Sequence, residues 1–144
     1  MVKLYLAVPC YNEEEVLFDT TEKLTKKYDQ LIADGKITND SKIVYIDDGS
    51  KDKTWEIISE LYKTNTYVNG IKMSRNRGHQ NALLGGLMTA KEYADMTISL
   101  DADLQDDIDV IDQMVEKYYD GCEIVYGVRS ARTTDTFFKR FTAE

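Results

Sequence analysis

Leu4-Tyr5-Leu6-Ala7-Val8-Pro9-Cys10-Tyr11-Asn12-Glu13 joins a short apolar run to a polar cluster, with the chain's only proline between them. An apolar run this short, closed by a residue that cannot continue a central ladder, predicts a buried strand over Leu4 to Val8. Leu17, Thr21, Leu24, Tyr28 and Leu31 then recur at helical spacing, so the strand is followed by a helix. The same cycle repeats outward. Strands are expected at Ile43 to Ile46, Ile71 to Met73, Thr97 to Leu100 and Ile124 to Tyr126. Helical stripes fall between them at Trp55, Ile58 and Tyr62, at Leu83, Leu87, Ala90 and Ala94, and at Ile108, Ile111, Val115 and Tyr118. Alternating strands and helices predict an α/β fold built on a mainly parallel sheet.

With 144 residues, 42% of them hydrophobic, the chain is expected to form a single domain, and no linker, repeat or low-complexity tract divides it. A formal net charge of -8 argues against a nucleic-acid partner, because no basic surface can neutralise a run of phosphates. Small anions need only a local site and stay open. Cys10 and Cys122 are too few for a disulfide framework and have no metal-ligand spacing, which fits a reducing, cytoplasmic setting. Met1 passes straight into the first strand, and no apolar stretch approaches a spanning length of about 20 residues, so the chain itself is expected to be soluble.

In open α/β sheets ligands sit beyond the carboxyl ends of the strands. Four of those ends are polar: Pro9-Cys10-Tyr11-Asn12-Glu13, Asp47-Asp48-Gly49-Ser50, Ser74-Arg75-Asn76-Arg77-Gly78 and Asp101-Ala102-Asp103-Leu104-Gln105. Asp101 and Asp103 present two carboxylates to one divalent ion, with the Gln105 amide oxygen as a third hard ligand suited to Mg²⁺ or Mn²⁺. Without a cation two acids at a buried strand end repel. Asp106 or Asp107 is expected to cap the next helix. An EF-hand is excluded, because Asp106 stands where it needs glycine and Asp112 where it needs glutamate. A haloacid-dehalogenase-type phosphatase fits less well, since Gln105 replaces its small hydroxyl residue.

Asp47 and Asp48 precede Gly49, which permits a left-handed turn, and one carboxylate would face the rim to accept a nucleobase N–H. Equally, Asp48, Ser50 and Asp52 could only build the turn and cap the helix. Arg75 and Arg77 stand before Gly78 at a helix start, where an anion or a base carbonyl is favoured. No Gly-x-Gly-x-x-Gly and no phosphate-binding loop occurs, which disfavours dinucleotide oxidoreductases and nucleoside triphosphatases. The single histidine, His79, has no partner acid or serine at recognisable spacing and receives no role.

In this order the four segments, extended by Gly127-Val128-Arg129-Ser130, resemble the family 2 glycosyltransferases over nearly the whole chain, and most closely the polyprenyl-phosphate subgroup. The resemblance implies a GT-A fold, a Rossmann-like three-layer sandwich that is truncated at its C-terminus here. It implies that Pro9, Tyr11, Glu13, Asp47 and Asp48 hold the base and ribose of a nucleoside-diphosphate sugar, a UDP- or GDP-hexose, with Arg75 closing the base pocket. Asp101, Ala102 and Asp103 would lie under the ribose and diphosphate, Asp103 and Gln105 on the metal, and Arg129 on the diphosphate. The implied reaction transfers a hexose, with inversion, to a lipid phosphate. Asn12 and Glu15 are read as a capping pair for the first helix.

The family fold continues through an acceptor-side catalytic loop and often membrane helices, so residues 129–144 are expected to begin an acceptor-side or membrane-proximal segment. Arg132, Lys139 and Arg140 mixed with Phe137, Phe138 and Phe141 suit an anionic membrane surface, at the cytoplasmic face for the full-length protein. The alternative is a helix packing its apolar face on a further part of the fold. Two functions follow: a transferase, or a nucleotide-binding module without turnover. Uncovered apolar faces would favour a homo-oligomer.

Overall fold

In the computed structural model, residues 2–73, 86, 92–100, 102 and 108–121 are described, together with the backbone of 124–129 and 136–141. The chain divides into two compact units, Met1–Asp103 and Leu104–Glu144.

In the first unit the order is β1 (Leu4–Cys10), α1 (Leu17–Ala33), β2 (Lys42–Asp47), α2 (Thr54–Thr64), β3 (Val68–Lys72) and β4 (Met96–Ser99). The four strands form one parallel sheet in the order β3-β2-β1-β4. β1 is central and buried along almost its whole length. It pairs with β2 from Tyr5 to Cys10 but with β4 only from Leu4 to Ala7. Pro9 thus lacks its N–H beyond the β4 pairing, where the ladder loses nothing.

Side chains alternate between the faces of a strand, so neighbouring residues of β2 report both sides. The Tyr45 hydroxyl meets Thr21 Oγ1 of α1 at 2.6 Å. Gly70 is in register with Tyr45 and so shares its side. There α2 closes so tightly that a Cβ on Gly70 would lie 2.6 Å from Ile58 Cγ2. Ile46 points the other way, and a Cβ on the helical Gly86 would come within 2.5 Å of its Cδ1. Thus α1 and α2 pack on the Tyr45 face, and the helical Gly86 lies on the other.

The expected stripe of α1 is buried at Leu17, Thr21, Leu24, Tyr28 and Leu31. Tyr28 is pinned further, its hydroxyl donating to the Lys42 carbonyl at 2.6 Å. The α2 stripe needs correction: Thr54, Ile58 and Leu61 are buried, whereas Tyr62 is 60% exposed. The buried set steps by four and three residues, and Tyr62 lies about 100° further round the helix. β3 begins three residues before its expected start at Ile71, because Val68-Asn69-Gly70 holds an Asn-Gly pair that reads as a turn. Leu83, Leu87 and Ala90 lie outside the described residues.

In the second unit α3 (Val110–Tyr119) buries Val110, Ile111 and Val115. Its N-cap position is Asp109, which makes no side-chain cap bond; Asp106 and Asp107, the expected caps, lie outside the described residues. β5 (Ile124–Arg129) pairs antiparallel with β6 (Thr136–Phe141). The helix expected as one reading of the closing segment is thereby corrected to a hairpin strand. Thr136, Phe137, Phe138 and Phe141 have high strand propensity, and their partner strand is close by in sequence.

Gly86→Val should overpack Ile46, lowering the denaturant midpoint by the equivalent of about 1–3 kcal/mol without changing the slope. Adding Ile46→Ala should recover part of that loss, measured as a non-additive double-mutant cycle.

Candidate functional site

The carboxyl ends of β1, β2 and β4 lie side by side, and the backbone ties them together where they leave the sheet. Asp48 N donates to the Cys10 carbonyl at 2.9 Å, Met73 N to the Asp47 carbonyl at 2.8 Å, and Leu100 N to the Ala7 carbonyl at 3.1 Å. Pro9, Asp47, Asp48 and Ala102 are buried, Glu13 is half-buried and Tyr11 is 42% exposed. Asp47 accepts from Ser50 N at 3.1 Å through Oδ1, closing a turn over Gly49, whose φ is 72°. The expected left-handed glycine is thus present. The other oxygen of Asp47, Oδ2, is buried and has no hydrogen-bond partner among the described residues. A buried acceptor without a partner costs free energy that a bound donor can recover.

The loops after β1 and β2 are stitched together by their own backbones. Asn12 N donates to Ser50 Oγ at 2.9 Å, Glu13 N to Thr54 Oγ1 at 2.9 Å, and Glu14 N to Asp52 Oδ2 at 3.3 Å. In return Lys51 N reaches Asn12 Oδ1 at 2.9 Å and Lys53 N reaches Glu14 Oε2 at 3.2 Å. Asn12 does not cap α1, which corrects the pairing expected with Glu15. The helix starts at Leu17 behind an N-cap Val16 that makes no side-chain cap bond. Asn12 instead adopts φ 53°, a left-handed conformation that asparagine tolerates better than most residues. Ser50 and Asp52, expected at most to cap α2, hold residues 12–14.

Cys10 ends β1 beside these groups. Burial first, then the charges of Glu13 and Asp47, push its thiol well above the usual range. A thiol held in its neutral form is a poor nucleophile.

Asp101, Asp103, Gln105 and Arg75 lie outside the described residues, and only the backbone of Arg129 is described, at the end of β5. Among the described residues no group of three His, Cys, Asp or Glu side chains is placed to hold a metal, and no helix is long and apolar enough to cross a membrane. One contact that periodicity did not reveal reaches the acidic segment: Thr20 Oγ1 donates to the Ala102 carbonyl at 2.6 Å. The adjacent threonines at 20 and 21, two hydroxyls on a helix facing a sheet, were its only signal.

The chain matches the family described as Glycosyl transferase family 2 over residues 5–143. It is 56% identical over 140 residues to the protein named uncharacterized glycosyltransferase YkoT of Bacillus subtilis, covering 97% of this chain and 42% of that protein. It is 38% identical over 143 residues to the prophage bactoprenol glucosyl transferase homolog of Escherichia coli, covering 99% of this chain and 44% of that one. The chain thus spans less than half the length of these relatives. Among solved structures it resembles the mannosyltransferase PcManGT of Pyrobaculum calidifontis in complex with GDP-Man and Mn²⁺, with a TM-score of 0.57 and 19% identity over 71% of this chain and 28% of that one. It likewise resembles S. aureus TarS in complex with UDP-GlcNAc, with a TM-score of 0.58 and 17% identity over 83% of this chain and 32% of that one. These likenesses establish the fold as GT-A, present in part.

Asn12→Ala should destabilise the chain more than Asn12→Gly, by about 1 kcal/mol, because both lose the bond to Lys51 N but only alanine is strained at positive φ. Parallel urea titrations check the order, which reverses if the left-handed backbone is unimportant.

Proposed function

The chain belongs to glycosyl transferase family 2, and from that premise we propose that it forms the donor-binding part of an inverting, metal-dependent hexosyltransferase acting on a polyprenyl phosphate. The observation that carries the acceptor is the 38% identity, over 99% of the chain, to proteins named bactoprenol glucosyl transferase. A nucleoside-diphosphate hexose as donor agrees with the sugar nucleotides held by the two solved neighbours.

Within this reading Pro9, Tyr11, Glu13, Asp47 and Asp48 hold the base and ribose, and a base N–H is the kind of donor that the buried Asp47 Oδ2 lacks among the described residues. The stitched loops hold that rim before the nucleotide arrives, which lowers the ordering cost of binding. Arg75 closes the base pocket, and Arg129 pairs with the diphosphate through parallel N–H donors.

The donor set Asp101, Asp103 and Gln105 is all hard oxygen, which suits Mg²⁺ or Mn²⁺, and the Mn²⁺ bound by the Pyrobaculum enzyme agrees with that choice. Such an ion neutralises charge on the departing diphosphate. An acceptor phosphate is already anionic at neutral pH, so the chain needs no strong general base and contributes chiefly by orienting the donor.

The chain spans 42% of its Bacillus relative, and acceptor handling is assigned to the part of the family fold outside that stretch, at the cytoplasmic face of a membrane. The 144-residue chain should therefore bind UDP or GDP in the presence of Mn²⁺ but transfer little sugar to a short polyprenyl phosphate. Positioning of the acceptor accounts for roughly 7–11 kcal/mol of such a barrier. Asp103→Asn should abolish the Mn²⁺-dependent part of nucleotide binding in calorimetric titrations. Unchanged binding would overturn the metal assignment, and efficient transfer would show that the acceptor site is already present.

A further inference from the structure

We infer that Thr20 is a positioning residue for the metal-binding segment, acting through the backbone of Ala102. The inference rests on the reading of Asp101 and Asp103 as metal ligands. Thr20 is 2% exposed and Ala102 3%, and the bond between them is short, 2.6 Å from Oγ1 to the carbonyl oxygen. A helical threonine commonly returns its hydroxyl to a carbonyl three or four residues earlier in its own helix. Here the carbonyl four residues back, that of Val16, accepts Thr20 N at 2.9 Å, while the hydroxyl crosses to a chain 82 residues away.

The crossing point matters. α1 connects β1 to β2, whereas Ala102 follows β4 on the other side of β1, so this hydrogen bond spans the place where the strand order reverses. The β4 ladder ends at Ser99, and Leu100 N is tied to Ala7; Ala102 is the next described residue, and Thr20 anchors its carbonyl. Asp101 and Asp103 are each one peptide bond from Ala102. Two adjacent carboxylates repel until a cation arrives, and metal ligands must hold their geometry to within about 0.5 Å. A hydroxyl on a packed helix, gripping the peptide between them, supplies that restraint from outside the ligand set.

The test uses the 144-residue chain with Thr20→Val, Thr20→Ser and, as a control, Thr21→Val, whose lost hydroxyl bonds Tyr45 of β2 at the same 2.6 Å. Free Mn²⁺ is followed by electron paramagnetic resonance during titration in the presence of UDP or GDP, and metal-free nucleotide binding and melting are measured alongside. Thr20→Val should weaken Mn²⁺ binding roughly 10–100-fold, the usual range for a residue supporting metal ligands, and Thr20→Ser should restore it. Thr21→Val should lower the melting temperature and leave Mn²⁺ affinity unchanged. If Thr20→Val does not fold, Thr20→Ala removes the same hydroxyl with a better helix former. Wild-type Mn²⁺ affinity in Thr20→Val, no rescue by serine, or an equal loss in Thr21→Val would each overturn the inference. A wild-type chain that binds no Mn²⁺ with nucleotide would instead overturn the metal reading beneath it.

Discussion

The placement of β1 governs the rest of the first unit. Like β2 it has a partner on each side, but its double pairing stops at Ala7 while pairing with β2 continues to Cys10. A strand buried on both faces must be apolar throughout, which Leu4, Leu6, Ala7 and Val8 satisfy, and the proline falls where one neighbour has ended. That asymmetry puts the polar residues after Pro9 at the reversal of strand order, where α/β sheets collect ligands. Nothing further along the chain would help if β1 slipped by one residue, because every side chain would change face.

Around this strand the loops are held by backbone donors and short polar side chains, not by ion pairs. Among the described residues the salt bridges Lys3–Asp40, Lys23–Asp19 and Lys26–Glu22 join half-exposed or exposed side chains, and such pairs contribute little. Residues 12–14 and 50–54, by contrast, exchange five hydrogen bonds through four side chains and the serine hydroxyl of the turn's end. Removing any one leaves the others, so the rim is rigid without depending on a single residue.

Periodicity carried the core and the strand order of events. The α1 stripe, β2 and the polar strand ends were legible because burial imposes a period of two or 3.6 on apolar residues. Three features were hidden for stated reasons. Asn69-Gly70 has turn chemistry yet lies within β3, where Gly70 makes room for Ile58. Residues 136–141 carry phenylalanines beside basic residues, a composition that does not choose between helix and strand until β5 is present to pair. Asn12 meets partners 38 and 39 residues away, which no local capping rule anticipates. Of the candidate site, Pro9, Tyr11, Glu13, Asp47 and Asp48 fall together at one rim as read, whereas Asp101, Asp103, Gln105 and Arg75 lie outside the described residues.

Charge gives the last constraint on how such a chain can serve a donor. Its net charge of -8 repels a diphosphate at long range, so attraction must come from groups within about a Debye length of the site. Carboxylates recur after the strands: Glu13, Asp47 and Asp48 stand among the described residues, and Asp101 and Asp103 follow β4 in the sequence. A cation standing between an acidic rim and an anionic ligand offsets their repulsion. In the proposed function the divalent ion fills that place, and Arg75 and Arg129 add the remaining positive charge. The same acids that make the free site unfavourable to a diphosphate then make it selective for one that arrives with its metal.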